Sequence, residues 1–480
     1  MKRGVSAVVA AASILLLSWA GCGGSGDTGT GGSGGSGAGS SSHGSGAGKT
    51  TSSGPGSGGS AGGGTGGAGG GPPQCASEPW GTYGHDARRT FASDGCVKGP
   101  LTAAWHYVPA PPANRSFGFA THAIATKDAA YLQWAATNSP YIGTTALDKV
   151  STAGQRTWTY DTGTDSNLGN WASLALGFVV IDDDGVYYLK DADGTLDGTT
   201  GVDWWGQTVP DTQRLYLVNN EHVDGPGIFV GALDATRAVL WQQNQFGSCR
   251  IDAGDSEGGL AFDGGVLFYA PAYSFGMGPA ASFSSGVFAF DGATGTPKWN
   301  VPASPLSTIS AGDGHVYLIE TDASGMPALT ARKQTDGTVA WQKSFTSAGA
   351  QAPVLAGHAV IVAHDLTTIT AFDAATGGKL WDAMVMGAQA YATPLSFSGG
   401  CHNDSVPTVM NPTTTLAAAR ASDTLVAAAQ DGMHLLSLTD GSEQWSGVPA
   451  NATAPFRDPV VVGSTIYVMD QQGLTQLEGM

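Results

Sequence analysis

The chain has 480 residues, and its 39 Asp and Glu against 21 Lys and Arg give a formal charge of −18. That balance, with no basic run beyond the first residues, excludes a partner held through nucleic-acid phosphates, which needs clustered cations. Gly fills 73 positions, but they crowd into one segment, so composition does not make the whole chain disordered.

From the N-terminus, Lys2 and Arg3 precede an apolar run from Val5 to Trp19, followed by Ala20-Gly21-Cys22. A basic start, a short apolar stretch and small residues before a cut form an export signal, and the run is short for a membrane span. Ala20-Gly21-Cys22 resembles a bacterial lipobox, with Trp19 where an aliphatic residue is usual. Residues 1–22 are therefore expected to be a lipoprotein signal peptide and Cys22 the acylated residue that anchors the protein to a membrane. Gly23 is compatible with delivery to the outer rather than the inner membrane. Residues 23–73, almost wholly Gly, Ser, Thr and Ala, cannot bury enough apolar surface to offset ordering entropy and are expected to be a disordered tether. Its typical reach as a Gly-rich coil is about 40 Å.

Residues 74–100 form a lead-in segment, and residues 101–480 are long enough for a large core. With Cys22 acylated, Cys75, Cys96, Cys249 and Cys401 remain, an even number in an exported chain, where disulfides are plausible. Cys75 with Cys96 is the natural local pair, which leaves Cys249 with Cys401, although four cysteines allow three connectivities. No CxxC, CxxCH or HExxH occurs, so zinc and haem lack support.

Long amphipathic helical patterns are missing from residues 100 to 480, which instead hold short alternating runs such as "GVYYLK" (185–190), "RLYLVNN" (214–220), "HVYLIE" (315–320) and "TIYVMD" (465–470). These are strand signals, and the turn residues just upstream of most of them, such as Asp183-Asp184-Gly185, Asp313-Gly314 and Gly463-Ser464, suit tight hairpins. "FAFDGATGTPKWN" (288–300) and "TAFDAATGGKLWD" (370–382) each read as strand, turn, strand, with a Trp at a fixed distance beyond the turn. Trp105, Trp158, Trp204, Trp241, Trp299, Trp341, Trp381 and Trp445 recur at an average interval of about 49 residues, a period proper to propellers. Four strands fit each interval, so the chain predicts an all-β, eight-bladed propeller of four-stranded antiparallel blades with these tryptophans docking blade on blade. "LTAAWHY" (101–107) has no preceding partners and the last unit lacks its Trp strand, so the N-terminal strand is expected to close the ring.

The phrases "ALDKVSTAGQRTW", "ALDATRAVLW", "AFDGATGTPKW" and "AFDAATGGKLW" resemble the pyrroloquinoline-quinone (PQQ) repeat, and "WGTYGHDARRT" (80–90) resembles the stretch that often precedes such propellers. Together with the lipobox, the chain is similar to the PQQ-like propeller lipoproteins, which include the outer-membrane β-barrel assembly subunit. The resemblance implies the propeller, with the Ala, turn Gly and Trp locking neighbouring blades. In the quinone enzymes of the family, two adjacent Cys lie over the quinone and Asp, Asn and Glu hold calcium. No two Cys are adjacent here, so PQQ is not expected, and calcium is the one cofactor the residues leave open.

Asp191, Asp193 and Asp197 in "KDADGTLDG" place oxygen ligands at alternate positions, which suits calcium, but the terminal Glu of a full loop is absent and Asp-Gly turns are common in propellers. "GDSEGG" (254–259) reads as a blade connection, since nothing nearby identifies a His and an acid to activate its Ser. His85 and Asp86 are read as tying the lead-in to the ring. His122, Glu257, Gln351 and Arg457 fall near the starts of innermost strands, where they would line the mouth of the channel or simply solvate its rim. The longest interval, from Trp381 to Trp445, holds residues 396–415, a loop suited to docking or a tolerated insertion. The reading is thus a non-catalytic binding or scaffold propeller of the cell envelope with a protein partner, assisting envelope protein assembly. Its alternative is a small-molecule or carbohydrate binder, or a divergent PQQ-dependent oxidoreductase, using the channel mouth.

Overall fold

The computed structural model describes residues 75–479 apart from 112–115, 140–141, 162–171, 183–184, 201–207, 220–227, 247–258, 271–285, 349–350, 366, 386–390, 393–409, 412–413 and 471. Cys22, Trp204, Cys249, Glu257, Cys401 and the whole of the expected signal and tether lie outside the described residues. No helix among those described is long and apolar enough to cross a membrane.

The described residues form eight four-stranded antiparallel blades in ring order. Blades 1 to 7 span residues 116–161, 173–199, 208–246, 259–302, 310–344, 354–384 and 415–447. Blade 8 combines residues 457–479 with Leu101–Tyr107. The N-terminal strand pairs antiparallel with Leu474–Gly479, from Leu101 opposite Gly479 to Tyr107 opposite Leu474, so the two ends of the domain meet in one sheet. Closure is reinforced on both sides of that strand. His106 Nε2 lies 3.0 Å from Asp470 Oδ2 within blade 8, and Tyr107 donates its hydroxyl to Asp148 Oδ2 of blade 1 at 2.7 Å. Asp148 is fully buried and also accepts from Trp134 Nε1 and Thr159 Oγ1. Burial still raises its carboxyl against the pull of those bonds.

The repeated phrase is explained by the turn between the third and fourth strands. In blade 4, Asp291 Oδ1 accepts from the backbone N–H of Ala293 and Thr294 and from Thr294 Oγ1. In blade 6, Asp373 does the same for Thr376 N–H and Oγ1. Each turn then passes through a left-handed glycine, Gly295 at φ +69° and Gly377 at φ +66°. That glycine lies flat against the Trp of the preceding blade: a Cβ on Gly295 would sit 2.4 Å from Trp241, and one on Gly377 2.6 Å from Trp341. The indole completes the joint by donating to a carbonyl of the same turn, Trp241 Nε1 to Gly292 at 3.0 Å and Trp341 Nε1 to Ala374 at 3.0 Å. Burying so large a ring contributes several kcal/mol per joint, and its N–H needs that partner.

The same pair recurs as Trp105 on Gly154, Trp158 on Gly194, Trp299 on Gly337, Trp381 on Gly441 and Trp445 on Gly99. Seven of the eight predicted tryptophans therefore dock a joint. The last pairing is informative, because Gly99 belongs to the lead-in yet occupies the place of a turn glycine in the composite blade. Trp204 was the eighth candidate. In the described part of its blade, however, the residue four beyond the turn glycine Gly194 is Gly198, where blades 1 and 4 to 7 place Trp.

Blade 7 departs from a plain four-stranded sheet. Ala92–Ser93 of the lead-in pairs parallel with Ala418 and Ala419 and adds a fifth strand at its inner edge. Between blades 6 and 7, Tyr391–Ala392 pairs with Met410–Asn411 at the base of the long connection.

Candidate functional site: the channel and its belt

The innermost strands of a propeller surround an axis, and here the lead-in segment travels round it. Trp80 exchanges two backbone hydrogen bonds with Ala125 of blade 1, and Gly81 accepts from Leu174 N–H of blade 2. Thr82 Oγ1 donates to the carbonyl of Thr208 in blade 3. Ala87 accepts from Phe262 of blade 4, Arg88 from Ala311 of blade 5, Thr90 from Leu355 of blade 6 and Phe91 from Ala418 of blade 7. Cys96 finally donates to Gly463 of blade 8 at 2.8 Å. The segment is thus a belt that touches all eight blades in order, using main-chain groups that would otherwise face the channel unpaired. Its ends are joined: Cys75 and Cys96 form a disulfide, and Ala76 N–H donates to Asp94.

Local chemistry bends the belt. Gly84, His85, Arg89 and Phe91 all have left-handed φ, and a Cβ on Gly84 would lie 2.9 Å from Arg89 Cβ. Asp86 Oδ1 accepts from Thr90 N–H and Oδ2 from Thr90 Oγ1, so this carboxylate shapes the tightest part of the path. Trp80, Phe91 and Arg89 are buried, and His85 packs edge-on to Trp80 with ring centroids 5.0 Å apart. Burial lowers the His85 pKa, against the opposing pull of Asp86.

Within the belt, Tyr83 meets two further side chains. The Arg89 guanidinium is 5.5 Å from its ring centroid and the His122 ring 5.7 Å. Burial first, then the charges of Arg89 and Arg457, push His122 down to about 3, so it is neutral at physiological pH.

The residues predicted to line a channel mouth are used differently. His122 lies well inside the strand Ser116–Ala125 rather than at its start, and is buried. Gln351 spans the seam between blades 6 and 7, donating to the Leu416 carbonyl and accepting from Leu416 N–H, both at 2.8 Å. Arg457 of blade 8 donates to the Ala120 carbonyl of blade 1 and pairs with Asp458. Two of the four are therefore joints of the ring, and Glu257 lies outside the described residues.

The three candidate calcium ligands also have separate tasks. Asp191 takes the Tyr131 hydroxyl and Lys149, Asp193 takes Thr195, and Asp197 takes Arg237 and Lys190. Among the described residues no group of three or more His, Cys, Asp or Glu is placed to hold a metal ion. Of the belt residues, Asp86 is expected from the sequence to tie the lead-in to the ring, whereas Gly84, Arg89 and Thr90 carry no expected role. Their signals are the family-like stretch at 80–90 and a run of aromatic and turn residues lacking strand alternation.

The sequence matches no curated protein. The family model for outer membrane protein assembly factor BamB matches residues 229–393 and 283–478, together more than half of the chain. Among solved structures, BamB from Moraxella catarrhalis is similar at 15% identity and a TM-score of 0.50, over 80% of this chain and 98% of that one. Quinohemoprotein alcohol dehydrogenase from Comamonas testosteroni is similar at 12% identity and 0.54, over 85% and 82%. Quinohemoprotein alcohol dehydrogenase ADHIIG from Pseudomonas putida HK5 is similar at 11% and 0.55, over 84% and 80%. At such identities the likeness is one of fold, shared by a protein named for assembly and by enzymes. The joints, the closure and the family match agree: the chain is a PQQ-repeat β-propeller and belongs to the BamB family.

Proposed function

We propose that this propeller is a non-catalytic binding module of the bacterial cell envelope, anchored by lipid at Cys22 on the tether of residues 23–73, and that it assists assembly of envelope proteins. The belt carries this reading. It fills the inner edge of the ring with the chain's own backbone, and Gln351 and Arg457 serve as blade joints. What the molecule then offers a partner is a rigid disc with broad faces and outer strand edges, a form suited to protein docking. The family match supports the same direction, because the relative is named for outer-membrane assembly. The connection around residues 396–415, pinched at its base by the pairing of residues 391–392 with 410–411, is the first candidate for the docking element.

The test is affinity capture of the full lipidated chain from gently solubilised membranes, with quantitative mass spectrometry. A near-stoichiometric envelope protein should be retained, and should be lost when residues 396–415 are replaced by a short Gly-Ser turn. Cys22→Ser should release the protein from membranes. An empty capture in several mild detergents, together with alcohol oxidation on adding PQQ and calcium, would replace this reading with the oxidoreductase alternative.

A further inference from the structure

Seven joints of the ring set a Trp on a Gly, and the joint between blades 2 and 3 is built the other way round. In the outermost strand of blade 2, Leu196–Thr199, the docking position is Gly198. In the facing turn of blade 3 the left-handed position, four residues before Trp241, is not glycine but Arg237, at φ +71°. The Arg237 side chain reaches back into the space a Trp ring would fill: a Cβ on Gly198 would meet Nη1 at 2.3 Å. Its guanidinium lies over Tyr188 and Phe178, at 4.6 and 5.0 Å from their centroids. It also pairs with the Asp197 carboxylate and donates to the Asp197 carbonyl at 3.3 Å. Lys190 Nζ lies 3.5 Å from the other carboxylate oxygen. The Tyr188 hydroxyl beneath is buried without a hydrogen-bond partner among the described residues.

We propose that this seam is an electrostatic latch, a place where adjacent blades separate in response to ionic strength. A Trp–Gly joint holds by buried area and shape, which salt does not weaken. At the Arg237 seam part of the adhesion is an ion pair whose side chains remain 22% and 30% exposed, within reach of screening ions. The inversion also accounts for the last carboxylate of "KDADGTLDG": Asp197 braces this seam through Arg237, whereas Asp191 holds Lys149 of blade 1 across the neighbouring seam and Asp193 caps its own turn.

Hydrogen exchange of the full chain, read by mass spectrometry at about 0.05 M and 1 M NaCl, tests this. At 1 M the Debye length falls to about 3 Å. Peptides covering residues 186–199 and 228–234 should exchange roughly two- to fivefold faster at high salt, the range of a partly exposed ion pair. Those covering 368–384 and 433–447, on either side of the Trp381–Gly441 joint, should not change. Asp197→Asn should reproduce the fast exchange at low salt and abolish the salt response, and Arg237→Gln should do the same. An equal salt response at both seams, or an Asp197→Asn protein that keeps the wild-type response, would overturn the proposal.

Discussion

The turn glycines make a prediction with its own control. Gly295 and Gly357 share a left-handed backbone, at φ +69° and φ +63°, but a Cβ on Gly295 would lie 2.4 Å from Trp241 Cε3 while one on Gly357 would meet nothing within 4 Å. Substitution by Ala should cost about 1 kcal/mol at either site for the left-handed backbone. At Gly295 the methyl must also displace a buried indole, which adds roughly 1–3 kcal/mol of overpacking. It further disturbs the Trp241–Gly292 hydrogen bond, for about 1 kcal/mol more. Gly295→Ala should therefore destabilise by about 3–5 kcal/mol and Gly357→Ala by about 1, measured by urea unfolding with matched m values. In a Trp241→Ala background the excess at Gly295 should vanish, because the clash partner is gone. Equal losses at the two glycines, or an excess that survives removal of Trp241, would refute the docking account. Arg237 already fits the rule: a left-handed residue other than glycine stands where the facing position has no Trp.

Further consequences follow from the buried pairs and titrating groups. Glu320 and Arg332 form a buried, forked ion pair at 2.9 Å, so Arg332→Met alone should cost about 3–5 kcal/mol in urea unfolding, with most of it recovered on adding Glu320→Leu. Tyr107→Phe, which removes a donor from buried Asp148 at the closure, should cost about 1–3 kcal/mol and loosen exchange in residues 101–107 and 474–479 together. The hydrogen bond to Asp470 raises the His106 pKa above its ordinary 6.5. Its stabilisation of the closing strand is thus fully present below pH 6.5 and lost as pH rises through the higher folded value, a slope His106→Gln should remove. Asp291, Asp373 and Asp440 are held below the ordinary 3.8 first by the hydroxyls of Thr294, Thr376 and Ser442. Their contribution is complete above pH 3.8 and disappears as pH falls through the folded values; replacing all three with Asn should flatten thermal stability in that acid range. Cys75→Ser with Cys96→Ser should speed exchange in the belt and at its innermost-strand partners, leaving the Trp joints unchanged.

The amino-acid sequence determined the architecture because each blade repeats one local solution. An Asp that caps a turn, a glycine that takes positive φ and a Trp four residues later are all short-range requirements, so they survive as a readable phrase at Asp291–Trp299 and Asp373–Trp381. Closure was legible for the same reason, since the strand at Trp105 stands without partners of its own. The tertiary structure decided what the phrase does not encode. Trp204 falls at a plausible interval, yet joint position is set by distance from the turn glycine, which selects Gly198 and brings Arg237 into the gap. The path of the belt was hidden because most of its contacts are main-chain hydrogen bonds, which any side chain permits, and because Arg89 and Phe91 adopt left-handed φ without a glycine to mark them. His122, Gln351 and Arg457 looked like a polar rim because they are polar residues near strand starts. Only packing in three dimensions, where an innermost strand must satisfy its neighbours before it can face a channel, assigns Gln351 and Arg457 to the joints between blades and buries His122 behind the belt.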